Sequence, residues 1–220
     1  MTPLRLSLRT LAHRTGYASI AFALAACTTS PTSRFYTLGP GATAQGESSS
    51  PAPAQAAKPA FLIEVSPVGV PTQIARNQLV VQAGDARVDV LEQERWASPP
   101  ADEIRRALSG DLAARLSTID VFGTPYAADA SVYRISVNVR RFESWPGSRV
   151  VLEAVWSVRA PRTQAVATCR TQVDEPVGAQ AGAGFDALVD AHRRTLAHMA
   201  DDIAATVRAL AAGRLDGCGQ

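Results

Sequence analysis

Apolar and polar residues alternate along three successive stretches of the C-terminal half. Tyr133, Ile135, Val137 and Val139 alternate with Arg134, Ser136, Asn138 and Arg140. Val150, Leu152, Ala154, Trp156 and Val158 repeat the pattern, and Ala165, Ala167 and Cys169 carry it through Gln164–Val173. A period of two belongs to a strand with one buried face. Only Trp145–Ser148 and Pro161–Thr163 separate the runs, and links this short require antiparallel neighbours. The pattern predicts a three-stranded meander.

Elsewhere the period changes. Ile104, Leu108, Leu112 and Leu116 recur every fourth residue, with Asp102, Glu103, Arg105, Arg106, Asp111 and Arg115 filling the polar positions. This predicts an amphipathic helix starting after Pro99-Pro100. Acids in its first turn and Arg115 in its last agree with the helix dipole. Phe185, Leu188, Val189, His192, Leu196, Met199, Ile203, Val207 and Leu210 hold the same spacing, so a long helix reaches about Ala212 and ends at Gly213. Before the first helix, Phe61–Val65 reads as a strand. Leu79–Val81 and Arg87–Leu91 read as a hairpin around Gly84-Asp85. The order is strands, helix, strands, helix. It predicts an α+β fold, a mainly antiparallel sheet with two helices packed on one face, the C-terminal helix being the long one.

The first 60 residues follow other rules. Residues 1–14 hold Arg5, Arg9 and Arg14 and no acid, and residues 16–26 are apolar or small. An apolar run of that length spans about 16 Å as a helix, against about 30 Å of bilayer hydrocarbon, so it reads as the core of a signal peptide. Leu24-Ala25-Ala26-Cys27 resembles a bacterial lipobox, in which Cys27 takes a diacylglycerol and then an N-acyl chain. Thr28 is not aspartate, and the resemblance then implies sorting to the outer membrane, facing the periplasm. Ser33–Leu38 is a short β-prone patch. Gly41–Ala60 contains no large apolar side chain, so it reads as a flexible segment, either a stalk or a loop inserted after the Phe35–Leu38 strand. The expected division is a signal peptide (1–26), an anchor with a short strand and a low-complexity segment (27–60), an α+β domain (61–213, with 35–38 adding a strand) and a tail (214–220).

The formal charge of +2 includes the three signal-peptide arginines. Without residues 1–26 the balance is 19 basic against 20 acidic residues, which gives no basic field for a nucleic acid. Once Cys27 is acylated, Cys169 and Cys218 remain. An oxidising compartment lets them pair, and the closed loop is worth about 4 kcal/mol in the chain-entropy picture; two unpaired thiols are the alternative. No cysteine spacing suits zinc.

Catalytic patterns are not found. His192 and His198 are about 240° apart around one helix and cannot clamp a metal; His192 reads as core. Asp201-Asp202, Glu92 and Glu94 read as solvated. No metal site and no cofactor is expected beyond the lipid on Cys27, and no catalytic residue is assigned. The candidates for docking a partner are apolar or extended. Trp96, with Ser98 and Pro99 beside it, sits at a strand-to-helix junction, where it either caps the helix or anchors a partner. Pro71 and Arg76 lie in an extended loop suited to gripping another chain. Trp145 lies at a hairpin tip, in reach of a partner or a headgroup layer.

Several pieces in order resemble a known family. They are Phe35-Tyr36-Thr37-Leu38 after the lipobox, Val65–Pro71, Arg76-Asn77-Gln78-Leu79-Val80, and Glu94-Arg95-Trp96-Ala97-Ser98-Pro99 leading into Asp102–Leu108. Together they resemble the auxiliary lipoproteins of ABC-type transport systems, of the PqiC/YmbA type. Thr72-Gln73-Ile74, the 41–60 insert and the Cys169/Cys218 pair depart from the family pattern. The resemblance implies a non-enzymatic subunit on the periplasmic face of the outer membrane. Its implied partner is an inner-membrane-anchored MCE-domain protein, in a system that moves phospholipid or another lipid between membranes. A carrier that binds phospholipid itself, and a periplasmic hydrolase, are the other readings; a homo-oligomer is compatible with the first.

Overall fold

The computed structural model describes residues 32–39, 59–178, 185–214 and 218. Leu24, Ala25, Ala26, Cys27 and the segment 41–58 lie outside the described residues.

The meander is present. Strands β5 (Val132–Trp145), β6 (Arg149–Arg159) and β7 (Val166–Pro176) are antiparallel neighbours. Strand β2 (Leu62–Val65) joins them parallel to β5, giving the order β2-β5-β6-β7. A second sheet, β1-β4-β3, is built from β1 (Arg34–Tyr36), β3 (Gln78–Gly84) and β4 (Arg87–Trp96). The β3–β4 hairpin follows the sequence signal, whereas β1 lies parallel to β4, with Tyr36 opposite Trp96. Both parallel pairings join distant segments, so no local pattern announces them. The periodicity placed the strands without showing that they divide between two sheets.

Strand β5 also runs five residues beyond its alternating stretch. A bulge between Val139 and Arg141 moves the buried side from odd to even positions, so Phe142 and Ser144 face inward opposite Leu152 and Val150. That shift hides the last third of the strand from a period-two reading.

Helices α1 (Pro100–Leu116) and α2 (Asp186–Ala211) cover one face of the four-stranded sheet. Ile104, Leu108 and Leu112 of α1 are fully buried, as are Leu196, Met199, Ala200, Ile203 and Ala204 of α2, against Leu152, Ala154 and Trp156. Trp156 donates its indole N–H to Thr171 (2.9 Å), and the Thr171 hydroxyl donates to Asp202 (2.6 Å). Arg115 pairs with Asp201 (2.6 Å), and Arg208 donates to the Arg115 carbonyl (2.6 Å). Asp201 and Asp202 are therefore not merely solvated: one ties the helices together, the other ties α2 to the sheet. Ala205 is exposed, whereas Ala191, Ala200, Ala204 and Ala209 are the buried alanines of α2.

Gly39 and Pro59 both belong to the folded part, so residues 40–58 connect β1 to β2 and do not stand between an anchor and the domain. At the other end, Cys169 of β7 and Cys218 are joined as a disulfide, Cα atoms 5.7 Å apart. Alkylation of the unfolded, unreduced protein is expected to leave both cysteines unmodified. Two modified thiols in the peptide map would contradict the bridge.

Candidate docking junction

Strand β1 has three residues, and two carboxylates add to the hold that its pairing with β4 gives it. Glu94 of β4 accepts from the Tyr36 hydroxyl (2.6 Å) and from Arg34 (3.2 Å). Glu103 of α1 is 0% exposed. One of its oxygens accepts from the Thr37 hydroxyl (2.7 Å) and the Leu38 backbone N–H (2.9 Å). The other accepts from the Ser98 hydroxyl (2.5 Å) and Arg106 (2.6 Å). Arg106 also donates to Ser98. From α2, Arg193 reaches the Thr37 carbonyl (2.8 Å) while held by Asp190 (2.7 Å). Glu103 thus joins the exit of β1, the start of α1 and the Ser98 turn in one buried node.

The electrostatics follow. Burial alone pushes the Glu103 carboxyl up, but the Ser98, Leu38 and Thr37 donors and the Arg106 charge outweigh it and hold the group below its usual range. Burial, with Glu94 accepting its proton, pushes the Tyr36 phenol up, so Tyr36 remains a donor. Glu94 and Glu103 both read as polar surface in the sequence, and both are structural. A helical signal existed for Glu103: it lies on the row Pro100–Glu103–Ala107, at the edge of the buried stripe, and all three are buried.

The docking candidates gather at this end of the molecule and divide there. Trp96 is 4% exposed, its ring packed near Phe142 and His192. It is core, and the partner-anchor alternative for its side chain is corrected: the ring has no open face. Ser98 is spent on the Glu103 node, while Pro99 is exposed at the helix start. Arg76 is exposed, and its neighbour Asn77 accepts from the Trp96 backbone N–H (2.6 Å). Pro71 opens the short 3-10 turn Thr72–Ile74, beside Phe142 in a small surface cleft. Trp145 is half-buried, its N–H on Glu143 (3.2 Å) and its ring under Arg149 (5.3 Å). Arg141 in turn pairs with Glu143 at 2.7 Å and pulls that carboxyl down.

One arrangement looks like chemistry. The Ser144 Oγ lies 2.8 Å from His192 Nε2. Both residues are buried, Phe142 stacks on the imidazole at 4.0 Å, and His192 Nδ1 has no hydrogen-bond partner. An activated serine needs a path for substrate and a group that orients the base, and the dense packing here supplies neither. Burial instead pushes the His192 pKa down to about 3, so the ring is neutral. His198, by contrast, is exposed. Among the described residues no group of three or more metal-binding side chains comes together, and no helix is long and apolar enough to cross a membrane.

Solved structures share the fold. One, of an uncharacterised protein, is 20% identical, with a TM-score of 0.60 over 80% of this chain and 99% of that one. Another, protein XCC0632 from Xanthomonas campestris, of family DUF330, is 19% identical, with a TM-score of 0.51 over 70% and 86% of the two chains. No curated protein matches significantly. The model of one family, described as the ABC-type transport auxiliary lipoprotein component, matches residues 36–204, from the β1 tyrosine to within two turns of the end of α2. The match takes in the Tyr36–Glu94 contact, the Glu103 node and the helix-covered sheet, and the chain belongs to the ABC-type transport auxiliary lipoprotein family.

Proposed function

We propose that this transport auxiliary lipoprotein is the outer-membrane-anchored, non-catalytic docking subunit of an MCE-type intermembrane lipid transport system. The observation that carries the reading is the short path from anchor to core. Six residues, 28–33, separate the lipobox Cys27 from β1. Fully extended, that path reaches about 25 Å. A pull on the lipid is then delivered to β1, and through Glu94 and Glu103 to β4 and α1.

The interior supports docking over carriage. The space between sheet and helices is filled by Trp156, Leu152, Met199 and Ile203, so acyl chains have no room beneath the helices. An inner-membrane-anchored MCE-domain protein is the partner this reading requires. A gentle crosslink in intact cells, followed by purification of the full-length lipoprotein, is expected to recover such a protein. Recovery of outer-membrane proteins without it would overturn the reading. Cys27→Ala is expected to move the protein from the membrane to the soluble periplasmic fraction; a variant that stayed membrane-bound would remove the anchor from the scheme.

A further inference from the structure

The end of the domain away from β1 carries most of the large hydrophobic side chains that stand exposed among the described residues. Six large hydrophobic side chains stand exposed among the described residues, and four of them lie here: Ile119, Phe122, Tyr126 and Val166. Ile119 is 57% exposed. The loop that holds three of them is not loosely attached. Its backbone is bonded to β2 through Ile63 N–H to Ile119 O (3.1 Å) and Val121 N–H to Ile63 O (2.9 Å). Asp120 is fixed by Arg105 and by the Val65 N–H. Beside the loop, two surface clefts of about 390 and 500 Å³ share Ala60, Phe61 and Ser131 as their dividing ridge. The larger is floored by the Phe61–Tyr133 ring pair (5.1 Å) and Leu210.

The charge around this surface is unbalanced. The side chains of Arg159, Arg162 and Arg214 make no hydrogen bond or ion pair among the described residues. Arg162 lines the larger cleft, Arg214 follows its Gly213, and Arg159 lies opposite Val166. Of the nearby acids among the described residues, Glu64 and Asp120 are already engaged, by Arg134 and Arg105, and Asp129 stands apart in the smaller cleft. A rigid apolar surface rimmed by unpaired guanidinium groups is complementary to an apolar element that carries carboxylates.

The charge and the apolar face select the kind of occupant, and the surface stands far from β1. Tyr36 accepts the N–H of Phe185, at the start of α2, whereas the cleft is lined by Leu210 at its end. Those two points are about 38 Å apart along a helix. This surface therefore lies at the end of the domain opposite β1. We propose that this pole is the docking surface for the partner protein, and that the docked element is an apolar segment bearing Asp or Glu side chains that pair with Arg162 and Arg214. The inference rests on the docking role proposed above and adds the surface and its chemistry.

The test is site-specific photocrosslinking of the full-length lipoprotein in cells that express the MCE-domain protein of the same system. Benzoylphenylalanine is placed at Ile119 or Phe122, and for comparison at Asp89 on β4 and Gln172 on β7. Capture of the MCE-domain protein is expected from Ile119 and Phe122 and not from the comparison positions. The doubly reversed Arg162→Glu, Arg214→Glu protein should lose that product at least tenfold, while Arg87→Glu leaves it unchanged. Capture only from Asp89 or Gln172 would overturn this surface and leave the docking role standing. A crosslinked homodimer from the pole, or an internal crosslink to residues 40–58, would overturn the surface by giving it a different occupant. Failure to capture the MCE-domain protein from any position would overturn the docking role as well.

Discussion

Glu103→Ala is expected to destabilise the protein by about 3–5 kcal/mol, the range for breaking a buried, hydrogen-bonded charge. Four donors point at this carboxylate, and alanine answers none of them. The Leu38 N–H belongs to a buried residue, where water cannot easily replace the lost acceptor, so it accounts for most of the penalty; Thr37 is exposed, and its hydroxyl can turn to water. Arg106 is half-exposed and can turn to solvent. Arg106→Ala should therefore cost less than about 1 kcal/mol. Glu103→Gln should fall between the two, because it keeps one acceptor oxygen but turns an amide N–H₂ toward donors. Chemical denaturation of the three variants at pH 7 ranks them. A loss below about 1 kcal/mol for Glu103→Ala would mean that the β1 exit finds other acceptors, and that Glu103 does not hold the node. The carboxyl is held below its usual range in the fold, so its contribution is full above an unfolded value near 4.5 and is lost as pH falls through the lower, folded one.

Glu103 also marks where the sequence stopped being readable. Elements set by local periodicity were legible: the meander, the β3–β4 hairpin and both helices follow from alternation and from i, i+4 spacing. Elements set by partners distant in sequence were not. Parallel pairing of β1 with β4 and of β2 with β5 joins segments some 60 to 70 residues apart, as the registers Tyr36↔Trp96 and Leu62↔Val132 show. The β5 bulge broke the very period that identified the strand. At the candidate site the same division holds. Trp96 and Ser98 were singled out correctly as a special junction, but a tryptophan beside a helix start has the same composition signal whether it plugs the core or faces a partner. Only the positions of Phe142 and His192 decide for the core. Glu94 and Glu103 were missed because a carboxylate is assigned to solvent unless its donors can be seen. The pole lined by Phe61, Phe122 and Tyr133 was missed because its residues come from four separate segments that each look like ordinary loop or strand ends.

Between pH 6.5 and 4.5 the wild-type protein is expected to lose stability with a slope approaching one proton, about 1.4 kcal/mol per pH unit, and His192 is the reason. Burial holds its folded pKa at about 3, against 6.5 as the ordinary value. The sign follows from those two values. Above about pH 6.5 the ring is neutral in both states and pH has no effect through it. Below 6.5 the unfolded chain binds a proton that the folded one refuses, so stability falls with pH until the folded ring itself protonates near 3. The groups packed around it explain the refusal. Phe142 stacks on one face and Trp96 meets it edge-on; among the described residues Ser144 is the one hydrogen-bond partner of the ring and no carboxylate is bonded to it. By pH 5 the accumulated loss is about 2 kcal/mol. The carboxylates held low in the fold, Glu103, Glu143 and Asp201, add their losses only below about 4.5, so the first part of the acid limb belongs to the histidine. His192→Phe removes the titrating group but strands the Ser144 hydroxyl, at a cost of about 1–3 kcal/mol. The variant should accordingly be the less stable protein at pH 7, show a flat profile from pH 7 to 5, and draw level with wild type or pass it as pH 5 is approached. Denaturation midpoints at pH 7, 6 and 5 measure this directly. Parallel profiles for the two proteins would mean that His192 accepts its proton in the folded state as readily as in the unfolded one, and that the packing around it opens to water.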